Sequence, residues 1–241
     1  MEIDIQALLE YFDTKKSTDY GDTTAAIAVV GEDLGAALFK NYCEKEREST
    51  VEIIDPNMAI PTEGKKKGRR LDRWIYEEAK DKSILYQTEI KSWCSRAIGG
   101  IDVPMDLSNE DLLLKTTRNW ERSVLNLEDK AVNGLNKVLV EMPTDTRLRR
   151  LGITGPYEKE PLVIFWDARS PSGNTGCFSR FDVKSKEHHF DYCWVFSCSL
   201  YLRSLYGKGI TEISVEIPNA DRRLKELARI FKLESIVAET R

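Results

Sequence analysis

Apolar and polar positions change period several times along the 241-residue chain, and those changes mark out its elements. From Ile3 to Phe12, the residues Ile5, Leu8, Leu9 and Phe12 recur at helical spacing. "GDTTAAIAVVGEDLGAALFKNYCEKE" reads as one helix, or as two meeting near Gly31, with Leu34, Ala37, Leu38 and Tyr42 as its apolar stripe. "TVEIIDP" predicts a strand ending at Pro56, and "NMAIPTEGKKKGRR" a loop with bends at Pro61 and Gly64. "LDRWIY" and "SILYQTEIKSW" predict two strands joined by the charged turn "EEAKDK". "LSNEDLLLKTTRNWERSVLNLEDKAVNGL" predicts a helix with Ser108 as its N-cap, followed by a strand "NKVLVEM". "TDTRLRRLGITGPYEKE" reads as a connection, and "PLVIFWDA" as a buried strand because its apolar run is nearly continuous. Beyond the Gly-rich loop "SPSGNTG", the pattern gives a strand "FSRFDVK", a helix through "VFSCSLYLRSLY", a strand "TEISVEIP" and a helix "NADRRLKELARIF".

Strands and helices are interleaved, so the expected class is α/β or α+β around a mixed central sheet flanked by helices. No Gly/Ser-rich linker and no internal repeat divides the chain, which reads as one domain over 1–241. Within it, a core of about residues 24–141 is followed by an extension of the sheet and helices over about 142–241.

The two strands around "EEAKDK" carry the most chemistry. Alternation along a strand puts Gln87, Glu89 and Lys91 on one face and Ile84, Tyr86, Thr88 and Ile90 on the other, the expected core face. A hairpin turning about Lys80 and Asp81 sets Asp72 opposite Glu89, with Cβ atoms roughly 4.5–5.5 Å apart. Two carboxylates so placed repel unless a cation lies between them. Mg²⁺ takes oxygen ligands and is often held by one or two carboxylates, with water and substrate phosphate completing its shell. Lys91 on the same face could orient or deprotonate an attacking water, or neutralise charge on a phosphate. Phosphodiester hydrolysis needs those functions. The competing reading is a wet strand face, where Glu and Lys two apart are common.

The order of a helix with "GEDLGAAL", a strand "TVEIIDP", a strand with Asp72, a strand with "TEIK", then a helix and a strand resembles the core of the restriction-endonuclease-like, or PD-(D/E)xK, nuclease superfamily. The resemblance covers roughly residues 30 to 141, and Leu71 stands where that family's proline precedes the aspartate. It implies a metal-dependent nuclease, a hydrolase of phosphodiester bonds, with Asp72, Glu89 and Lys91 catalytic. Asp72 and Glu89 would be metal ligands, and Glu32 would be the further acid on the first helix. Mg²⁺ is the implied cofactor, with Mn²⁺ able to substitute. Glu32 reads equally well as an acid favoured in the first turn of a helix, and Glu52 and Asp55 are rival acids. A silent protein of the same fold, binding nucleic acid or a protein partner, is the alternative.

Other signals modify this picture slightly. The basic run Lys65, Lys66, Lys67, Arg69 and Arg70 leads into Asp72 and would make a phosphate clamp there, or a solvated loop. Gln87 would bond a ligand water or be solvated. "RLRR" at 147–150 and Lys115, Arg118 and Arg122 read as charged surface. Net charge is −4, so any attraction to DNA, favoured over RNA as partner, must be local. A homodimer would supply one site to each strand of a duplex. His188 and His189, the two histidines, match no zinc spacing with Cys177 and Cys193, and so few histidines argue against His-based nucleophilic catalysis. No phosphate-binding glycine motif supports a nucleotide cofactor. Five cysteines without a CxxC pair, no signal-peptide pattern and no long apolar run set the expectation of a cytoplasmic protein with no membrane partner.

Overall fold

A computed structural model describes residues 1–14, 20–54, 71–94, 137–141, 146–167, 176–182 and 189–231. In order the elements are β1 (Glu2–Asp4), α1 (Ile5–Thr14), α2 (Tyr20–Glu46), β2 (Thr50–Ile54), β3 (Arg73–Glu78), β4 (Ser83–Cys94), a 3₁₀ turn (Lys137–Leu139), α3 (Thr146–Arg150), β5 (Glu158–Asp167), β6 (Phe178–Asp182), β7 (Tyr192–Ser197), α4 (Cys198–Gly207), β8 (Glu212–Ser214) and α5 (Pro218–Phe231). The expected helix between Leu107 and Leu135, the run Lys65 to Arg70, Asp55 and His188 lie outside the described residues.

Six strands form one mixed sheet in the order β2-β3-β4-β5-β7-β6. β2, β3 and β4 make an antiparallel meander, β4 and β5 are parallel, β5 and β7 are parallel, and β6 returns antiparallel to β7. The carboxyl ends of β4, β5 and β7 therefore meet at one end of the sheet, together with the start of β3. The hairpin turns at Ala79 to Lys82, where Ala79 N donates to Lys82 O at 3.0 Å. Its register pairs Arg73 with Thr88 and Glu78 with Ser83, as a turn about Lys80 and Asp81 requires.

Both sheet faces are covered. On one, Ile75, Ile84, Tyr86, Ile90, Leu162, Ile164, Trp166 and Phe196 pack with Leu34, Ala37, Leu38 and Phe39 of α2, and with residues of α1 and α4. On the other, Trp74, Leu85, Val163, Phe165 and Val195 pack beneath Val138, Leu139 and Leu148. The aliphatic face of β4 is thus the core face expected from its alternation. The opposite face is not wet, because the 3₁₀ turn and α3 close over it.

Several elements differ from the sequence expectation. α2 is not among them, being a single helix through Gly31, the first of the two readings of that segment. Ile3 belongs to a strand, since β1 pairs with β8 in a separate two-stranded sheet and the helix begins only at Ile5. "NKVLVEM" supplies no strand among its described residues; the place beside β4 is filled by β5, and the segment turns to lay Val138 and Leu139 on the sheet. The residues before Cys198 are strand β7, not helix: Trp194 and Val195 pair across to β5 and β6, and Ser197 caps α4 by accepting from Leu200 N. Five residues of the expected connection before β5 form α3. Cys43, Cys177, Cys193 and Cys198 form no disulfide, and burial raises each thiol's pKa, Cys177 to about 11. No helix among the described residues is long and apolar enough to cross a membrane.

Candidate functional site

The candidate site lies where β3 begins and the parallel strands end. The β3–β4 ladder stops at Arg73 and Thr88. Asp72, one residue earlier, keeps its place by different bonds. Its backbone N–H donates to Thr88 O at 3.2 Å, and its Oδ2 accepts from the Ile90 backbone N–H at 2.8 Å. The Asp72 carboxylate therefore rests against the peptide joining Glu89 to Ile90, and the expected neighbourhood of Asp72 and Glu89 is realised. Asp72 is half-buried, whereas Glu89 is 2% exposed.

Lys91 continues β4 opposite Phe165 of β5; its side chain lies outside the described residues. Gln87 is fully buried, neither solvated nor open to a ligand water through its amide hydrogens. Its Nε2 donates to Val138 O and to Val140 O, the latter at 2.9 Å. The side chain ties β4 to the 3₁₀ turn, satisfying carbonyls that a turn of that length leaves unpaired.

Glu32 and Asp33 reach the same end of the sheet because α2 crosses it there; Trp166 Nε1 near the end of β5 donates to Gly31 O at 3.0 Å. They approach from the α2 face, through Arg73. Side chains alternate along β3, so Arg73 points toward α2 while its neighbour Trp74 packs on the other layer. The guanidinium donates to Asp72 O at 2.6 Å, Glu32 Oε2 at 3.3 Å and Asp33 Oδ1 at 2.5 Å. Asp33 is 7% exposed and also meets Arg223 of α5, whose Nη1 lies 2.9 Å from Oδ2 in an ion pair without hydrogen-bond alignment.

Asp72 and Glu89 are thus brought together, while Glu32 is engaged by Arg73. No group of three or more His, Cys, Asp or Glu among the described residues is arranged to hold a metal ion. Asp72 and Glu89 would be the residues to hold Mg²⁺ here, since it is often bound through one or two carboxylates. Glu52 is exposed on edge strand β2, opposite Tyr76, and takes no part. Arg149 and Arg150 of the "RLRR" run are exposed, as expected of charged surface.

Arg73, Asp33 and Arg223 were not singled out from the sequence. One signal was present: an arginine on the core face of a strand demands a buried acid, and the preceding helix offers Asp33 within its apolar stripe. Arg223 carried no comparable signal, because it sits on a charged helix face.

No family model, curated protein or solved structure matches the chain.

Proposed function

We propose that this protein is a metal-dependent nuclease of the restriction-endonuclease-like fold, hydrolysing phosphodiester bonds, with DNA favoured as its substrate. The observation that carries the reading is the Asp72 carboxylate held against the Glu89–Ile90 peptide at the carboxyl end of β4. The element order α2, β2, β3 and β4 supports it, since it matches the first four elements of the order on which the resemblance rests.

Asp72 and Glu89 would hold Mg²⁺ or Mn²⁺, which when bound polarises a scissile phosphate and lowers the pKa of a water. Asp72 is fixed by the Ile90 and Thr88 backbone, so its carboxylate needs no reorganisation to serve. Burial of Glu89 keeps bulk water from competing for its oxygens. Lys91 would orient the attacking water, accept its proton, or offset charge gathering on the phosphate oxygens. Lys65, Lys66, Lys67, Arg69 and Arg70, just before Asp72 in the chain, would clamp the polymer backbone.

Incubating plasmid, single-stranded DNA and RNA with protein in Mg²⁺ or Mn²⁺, and in EDTA, tests this. Cutting that needs metal and falls by about a thousandfold in Asp72→Ala and Lys91→Ala is expected. Folded protein that cuts none of the three and binds no Mn²⁺ would overturn it. One observation favours a second reading, a silent binding module of the same fold: Arg73 engages the acids of α2, so a third carboxylate is not offered to a metal. Retained DNA binding without Mn²⁺ binding would select that reading.

A further inference from the structure

Asp72 is held on its carboxylate by Ile90 N–H and on its carbonyl by Arg73. Arg73 is itself 7% exposed and is held by Asp33, which Arg223 approaches from the far side. Three residues, Arg73 of β3, Asp33 of α2 and Arg223 of α5, thereby form one line of charge ending on the backbone of Asp72, a proposed metal ligand.

We propose that Arg73 is a positioning residue for Asp72, and that α5 sets its position through the Arg223–Asp33 ion pair. The metal consequence rests on the nuclease reading; the positioning itself does not. The geometry explains the choice of arginine. Its planar fork reaches the Asp72 carbonyl with one nitrogen and Asp33 with the other, two directions that a lysine ammonium on a flexible stem does not hold together. Asp33 carries one negative charge between two cations. Without Arg223 the whole carboxylate is available to Arg73, which is then drawn toward α2 and away from the Asp72 carbonyl. Arg223 is 43% exposed along its side chain, so solvent reaches this end of the line.

Two readouts on the full chain separate this proposal from the nuclease reading. The first is hydrogen exchange at the Ile90 amide, which reports the Asp72 carboxylate directly and needs neither metal nor activity. Arg223→Gln should speed Ile90 exchange by about fivefold to tenfold, the loss of roughly one hydrogen bond. Amides of the β5–β7 ladder should keep their wild-type rates. Arg223→Lys, which keeps the charge, should restore most of the protection, whereas Arg73→Lys should not. The second is the Mn²⁺ concentration for half-maximal cleavage, which should rise by about tenfold in Arg223→Gln while the rate at saturating Mn²⁺ stays within about twofold. Unchanged Ile90 exchange in Arg223→Gln, or an increase spread evenly over the sheet, would overturn the positioning role. Failure of the wild type to cleave or to bind Mn²⁺ would overturn the nuclease reading, and Ile90 exchange would still decide the positioning.

Discussion

Glu77 sits on β3 with no exposed surface, among three donors. Arg47 reaches it with two nitrogens at 2.7 and 3.2 Å, Ser49 Oγ donates at 2.8 Å and the Tyr86 hydroxyl at 2.8 Å. Burial alone would raise the carboxyl pKa, but the bonds from Arg47 and Ser49, the Arg47 charge and the Tyr86 bond outweigh it and hold it below the usual range. Burial first, then the charge on Glu77, pushes the Tyr86 hydroxyl pKa up. Replacing Glu77 by Ala strands the guanidinium and the hydroxyl, and should cost about 3 kcal/mol in urea unfolding at pH 7. The sign with pH follows from the lowered folded value. The Glu77 contribution is full above the unfolded carboxyl range near 4.5 and is lost as pH falls through the folded one. The gap in stability between wild type and Glu77→Gln should therefore shrink as pH is lowered below about 4.5. A gap that widens there would contradict the network. At this scale the sequence is legible where contacts are local: period-two alternation and a short charged turn were enough to set Asp72 against Glu89. The burial of Gln87 and Glu89 was not legible, because Val138, Leu139 and Leu148, which cover that face, are distant in sequence.

Among elements, α2 is set on the sheet by two ion pairs of opposite sense. Near one end of β3, Arg73 meets Asp33; near the other, Glu77 meets Arg47 just past the helix. Reversing the helix on the sheet would put Asp33 against Glu77 and Arg47 against Arg73, so the pairs select one direction of packing. Between them the helix comes close. A Cβ built on Gly35 would lie 3.0 Å from Ile90 Cγ2 and 3.3 Å from Ile164 Cγ2. Gly35→Ala gains up to about 1 kcal/mol of helix propensity, yet overpacking a filled core costs about 1–3 kcal/mol. A net loss of about 1 kcal/mol in chemical denaturation is expected; a more stable variant would mean that the layer yields. Long amphipathic segments such as α2 and α5 were readable as helices, and "PLVIFWDA" as a buried strand. "YCWVFS" was not, because the helical run beginning at Cys198 follows it without a break. "NKVLVEM" has strand composition, and only the occupation of the neighbouring place by β5 turns it aside.

Across the whole molecule, the proposed site joins parts of the chain far apart in sequence: α2, the β3–β4 hairpin and α5. A metal that binds only the folded arrangement should stabilise all of it. At Mn²⁺ one hundred times its dissociation constant the gain is about 2.7 kcal/mol, which for a chain of this size raises Tm by about 5–10 °C. Asp72→Ala should lose that shift in a thermal melt while keeping its metal-free Tm within a few degrees. The mixed α/β class was legible from interleaved patterns. The parallel pairing of β4 with β5 was not, since no local signal couples strands with so long a segment between them. The small sheet of β1 and β8 has a consequence for the way the chain is made. Glu2–Asp4 is synthesised about 210 residues before Glu212–Ser214, the strand it pairs with. At usual elongation rates that wait lasts roughly ten to forty seconds. Throughout it Ile3 and Ile5 have no apolar cover from β8 and its neighbours, so the two aliphatic side chains that end buried in the core wait in water for their partners.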